Sequence, residues 1–123
     1  MEVIDLPFNK DWFLRIAMAS VFLYHGLTKN LEDFAKTFNF HLLFASLVIF
    51  AEMAGGLGYL LGGLYDKNIL GYSLTQWASA AVIPVLIGAI YFVHWKNGFN
   101  VMNGGYEYQF VLLLIALYFY FTK

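Results

Sequence analysis

Four apolar stretches, each near the length that crosses a bilayer, divide this chain, and only short polar segments separate them. They run approximately over residues 12–28, 41–65, 74–95 and 106–121. A spanning helix needs about 20 predominantly apolar residues, so the fourth is short unless its first turn begins at Gly104. Inside hydrocarbon every backbone polar group must find its partner within the protein, and for segments of this length the helix is the solution. The expected fold is all-α: a four-helix transmembrane bundle, read as one membrane domain over residues 1–123.

Composition supports the same reading. Hydrophobic residues make up 61% and charged residues 12%, against about 45–50% and about 25% in soluble domains. A soluble monomer of 123 residues has too little interior to hide that surface. Seven Lys and Arg are offset by eight Asp and Glu, so there is no basic footprint for nucleic acid. The absence of Cys excludes disulfides, thiol redox chemistry, Fe–S clusters and covalent c-type haem. No cleavable signal is expected, since acidic residues stand where a positive segment would lie.

The punctuation is interpretable. Asp11, after the polar start at Asp5, Asn9 and Lys10, and Asn103 are candidate N-caps. Ser73 and Gln76 have capping-box spacing. Asp66, Lys67 and Asn68 form a short turn that makes spans 2 and 3 antiparallel neighbours. Trp12, Tyr65, Tyr72, Trp77, Tyr118 and Tyr120 fall near one interface, and Tyr24, Trp95, Tyr106 and Tyr108 near the other. Between spans 1 and 2, over residues 30–40, Leu31, Phe34, Ala35 and Phe38 repeat at helical spacing among charged residues. That pattern predicts a short amphipathic interfacial helix, with a lid packed on the bundle as the alternative. Four crossings put both termini on one side. Lys10, Arg15, Lys67 and Lys123 there, against Lys29, Lys36 and Lys96 opposite, favour cytoplasmic termini.

Two features bear on packing. Ala51, Gly55, Gly58 and Gly62 form a small-residue stripe on span 2, suited either to close packing within the chain or to a homodimer seam. Pro84 removes a backbone donor inside span 3, which predicts a kink and leaves a carbonyl for Ser79 or a neighbour to satisfy.

Ionisable residues carry the chemistry, because each costs about 2.5–3.5 kcal/mol at the centre of a membrane helix. Glu52, near the midpoint of span 2, is the most expensive. It is expected either to pair with Arg15 or to serve a proton or ligand. His25, Lys29, His94 and Glu107 should gather at the opposite rim from the termini, with Glu52 beneath them. Taken singly, His25 reads as a bonded structural histidine and Glu107 as a first-turn carboxylate at a positive helix end. Together they outline a pocket. No metal site is assigned, since neither Glu has a His three residues on, as di-iron bundles require. A b-type haem on His25 and His94 is disfavoured, although FLYH and YFVH repeat. A quinone-type ligand matches better: its carbonyls want such donors and its ring wants aromatics such as Tyr24, Tyr91 and Tyr106.

With these residues in place, the chain resembles the DoxX family of small four-helix membrane proteins. The resemblance lies in RIAMASVFLYHGLTK (Arg15 to Lys29), EMAGGLGYLLGG (Glu52 to Gly63) and HWKNGFNVMNGGYEYQFVLLL (His94 to Leu114). It implies a multi-pass protein of a prokaryotic cytoplasmic membrane, associated with quinol oxidases, thiosulfate:quinone oxidoreductase or related redox assemblies. The implied role is a subunit or accessory of a quinone-linked oxidoreductase, with or without catalysis of its own, alongside other membrane subunits. His25, Glu52, His94 and Glu107 would bind the ligand or relay protons, with Arg15, Lys29 and Tyr106 in support. The competing classes are a non-catalytic anchor or assembly factor and a small-solute or proton pathway.

Overall fold

The computed structural model describes residues 11–65 and 67–122. The polar start at Asp5, Asn9 and Lys10, the Asp66 position of the predicted turn, and Lys123 lie outside the described residues. Among the described residues there are five α-helices: α1 (Trp12–Thr28), α2 (Leu31–Phe38), α3 (Leu42–Leu64), α4 (Leu74–Ala89) and α5 (Glu107–Phe121). A π-turn at Ile90–His94 and a 3-10 turn at Trp95–Asn97 prolong α4, and a second 3-10 turn covers Val101–Asn103. By length and apolar character, α3 and the Leu74–Asn97 helix are each sufficient to cross a membrane. The remaining long helices, α1 and α5, have 17 and 15 residues.

Local chemistry explains most boundaries, though not always through the expected residues. Ser73 and Gln76 form the reciprocal capping box. Asn30 caps α2 by accepting from the Asp33 N–H, and His41 caps α3 through Nδ1. Asp11 makes no side-chain cap; its carboxylate instead accepts from the Tyr118 hydroxyl at 3.1 Å, tying the start of α1 to α5. Asn103 does not cap α5 either, because it closes a 3-10 turn and the helix begins four residues later at Glu107. The turn between α3 and α4 is a small hairpin, β1 (Asn68–Ile69) paired antiparallel with β2 (Tyr72–Ser73). Both its central residues, Leu70 and Gly71, have positive φ, as tight hairpins with the favoured twist require. The Trp77 indole donates to the Ile69 carbonyl and holds the hairpin onto α4.

α3 lies between α1 and α4, and α5 packs on α4. Glycines set that closeness. A methyl group at Gly55 would meet Val82, at Gly58 Ala78, and at Gly62 Thr75, all on α4; at Gly56 it would meet Leu23 of α1. Gly55, Gly58 and Gly62 of the stripe thus serve close packing within the chain. Pro84 is accommodated without interrupting α4, and the departure from α geometry comes later, at the π-turn. Ser79 does not serve the carbonyl freed by Pro84 but bonds the Tyr59 hydroxyl at 2.7 Å.

Polarity is distributed inside-out. Arg15, Glu52, Thr75, Gln76 and Ser79 are buried, while Phe13, Phe50, Leu64 and Tyr91 are more than two-thirds exposed. In water this arrangement is unfavourable on both counts; against lipid tails the exposed side chains cost nothing.

Candidate functional site

Near the loop-side ends of the helices lies a cavity of about 230 Å³, bounded by α1, α2, α3, the end of α4 and the start of α5. Its polar residues come from separate elements. His25 and Lys29 sit one turn apart at the end of α1, so their side chains share a face. Glu52 projects from the middle of α3, and His94 closes the π-turn. All four line the cavity.

The central contact is an ion pair. Lys29 Nζ lies 2.7 Å from Glu52 Oε1, with the two side chains 23% and 6% exposed. The ammonium also stands 5.2 Å from the centre of the Phe34 ring of α2. Glu52 therefore takes Lys29, not Arg15, as its partner. Arg15 belongs to a second polar group toward the terminal side: its guanidinium donates to the Tyr59 carbonyl at 2.9 Å and Thr75 Oγ1 at 2.8 Å, and it stacks over Phe119. Between these groups lies an apolar layer that includes Met18, Phe22, Val82 and Leu86.

The two histidines differ. His94 Nδ1 bonds the Gly104 carbonyl at 2.7 Å. A carbonyl only accepts, so Nδ1 carries a proton and donates it, which leaves Nε2 as the uncommitted ring nitrogen. His25 makes no side-chain hydrogen bond among the described residues; its ring meets that of Tyr24 edge-on. The structural histidine expected at this position is not what its surroundings provide.

Other expectations fall away from the cavity. Glu107 accepts from the Val101 N–H at 3.0 Å and orders the preceding loop. Tyr106 stacks on Trp95, with ring centres 5.1 Å apart. Neither lines the cavity, nor do Tyr24 and Tyr91. The aromatic wall is built from Phe34, Phe38, Phe40, Phe44 and Phe92, most of them in mutual edge-to-face contact. The amphipathic segment lies over the cavity in the lid arrangement, with Phe34 and Phe38 of α2 among its lining residues. Sequence reasoning also passed over Gln109, which lines the cavity and whose buried Oε1 has no hydrogen-bond partner. Its signal was available, as the polar residue just before the apolar run Phe110–Leu114.

Among the described residues no group of three or more His, Asp or Glu is arranged to hold a metal ion. The sequence profile of the DoxX family matches residues 11–95, well over half the chain. The chain belongs to the DoxX family. That match contains the DoxX chain's His25, Lys29, Glu52 and His94, and it ends before Gln109. No curated protein and no solved structure matches the sequence. DoxX membership and the long apolar helices point together to a membrane protein.

Proposed function

We propose that this DoxX protein crosses the bilayer four times, through α1, α3, α4 and α5, and binds the headgroup of a quinone-type ligand in the cavity. It would serve a quinone-linked oxidoreductase system of a prokaryotic cytoplasmic membrane, as a subunit or accessory beside other membrane proteins. The observation that carries this reading is the Lys29–Glu52 pair at 2.7 Å inside a phenylalanine-walled cavity. A volume of about 230 Å³ lies below that of sites for whole drug-sized molecules. It suits one substituted ring, and is too small for a porphyrin.

The donor set fits such a ring. Lys29 retains ammonium protons beyond the one given to Glu52, and His25 has an uncommitted N–H for a ligand carbonyl. The orphaned Gln109 Oε1 supplies an acceptor for a reduced ligand's hydroxyl, and His94 Nε2 is uncommitted to the protein. A quinone, when bound, would supply two-electron redox chemistry; the residues here would orient it and exchange protons at its oxygens. The apolar layer beneath the cavity favours a pocket over a through-going proton or solute pathway.

Calorimetry on the purified protein in detergent, with a short-chain benzoquinone, tests this. Saturable binding is expected, and Glu52→Ala should weaken it by roughly tenfold or more while circular dichroism stays helical. Undiminished binding by the folded variant would remove Glu52 from the site, and no binding by the parent protein would end the quinone reading.

A further inference from the structure

Cavities that recognise anions expose a cation without a counter-charge; this one does the opposite. Among the described residues that line it, only Lys29 and Glu52 carry formal charge, and they are bonded to each other at 2.7 Å. The other titratable groups facing it among the described residues are His25, His94 and Tyr108. The remaining wall is mostly phenylalanine and aliphatic. An anion entering such a space loses its hydration and meets an ammonium already neutralised by Glu52, so little repays that loss. An uncharged ring loses little hydration and keeps the wall contacts.

Resting on the reading of the cavity as a ligand pocket, we propose that the Lys29–Glu52 pair is a charge filter. It restricts the site to uncharged ligands, and Glu52 is the specificity-determining residue because it masks a latent anion site on Lys29. The Phe34 ring over the ammonium reinforces the mask by covering it from the lid side.

The test uses two ring probes of nearly the same shape, benzamide and benzoate, on the full-length protein at neutral pH, with the short-chain benzoquinone as reference. The parent protein should bind benzamide roughly tenfold or more tightly than benzoate. Glu52→Gln, which keeps the size and a hydrogen-bond acceptor, should reverse that order by freeing the Lys29 charge. The double variant Lys29→Gln with Glu52→Gln should lose benzoate again while its circular dichroism stays helical. Equal binding of both probes by the parent, or no gain of benzoate in folded Glu52→Gln, overturns the filter. If the reference quinone still binds in that case, the pocket itself stands; if neither it nor benzamide binds, both readings fall.

Discussion

Lys29 and Arg15 show how much a single partner assignment changes. Both are cations on α1, and both reach polar groups on α3: Arg15 the Tyr59 carbonyl, Lys29 the Glu52 carboxylate. The exchange of partner moves the one buried carboxylate among the described residues from a structural tie into the wall of the cavity. Removing one member of a buried ion pair leaves the other charge without compensation. Lys29→Met should therefore destabilise the protein by about 3 kcal/mol, and by much less when Glu52 is already Gln. Thermal unfolding of the two single variants and the double variant in detergent measures that coupling. Additive losses would mean that the pair contributes little to holding α1 against α3.

At the scale of elements, α3 is the part on which the others are assembled. Its glycines let α4 approach, and a side chain at Gly55 would collide with Val82. Gly88 of α4 meets nothing closer than Phe92 at 4.0 Å. Gly55→Ala should lower stability by about 1–3 kcal/mol through overpacking. Gly88→Ala should be neutral or raise it by about 0.5–1 kcal/mol, since alanine loses less backbone entropy in a helix. Melting temperatures of the two variants in one detergent distinguish them, and equal losses would contradict the packing described. The lid helix α2 was visible in the sequence as an amphipathic repeat. Its orientation was not, because periodicity gives a helix an apolar face without saying whether lipid or protein covers it. The π-turn at Ile90–His94 left no sequence mark comparable to Pro84.

For the whole molecule, the proposed four crossings place the hairpin at Leu70 and the loop at Met102 on opposite sides of the bilayer. Both positions are highly exposed, at 84% and 87%. The chain has no Cys, so single cysteines at each can be labelled without background. With cytoplasmic termini, a membrane-impermeant maleimide added to intact cells should modify Met102→Cys and spare Leu70→Cys until the membrane is opened. Labelling of both from outside would refute four crossings, and the reverse pattern would invert the orientation.

The sequence by itself determined where the helices run and which side chains are expensive in lipid, because apolar length and periodicity are local properties of a chain. It also placed His25, Lys29 and His94 at one rim and Glu52 beneath them, since depth follows from a rise of about 1.5 Å per residue. It did not determine which cation meets Glu52. Arg15 and Lys29 lie about 21 Å apart along α1 by that rise, on nearly the same face. Periodicity therefore turned both toward α3. Only the axial offset of the two helices, fixed when Gly56 seats against Leu23 and Gly26 against Met53, brought Lys29 level with the carboxylate. Tertiary packing likewise folded the α2 phenylalanines inward and excluded Glu107 and Tyr106, since the walls of a cavity are set by contacts between elements rather than within one.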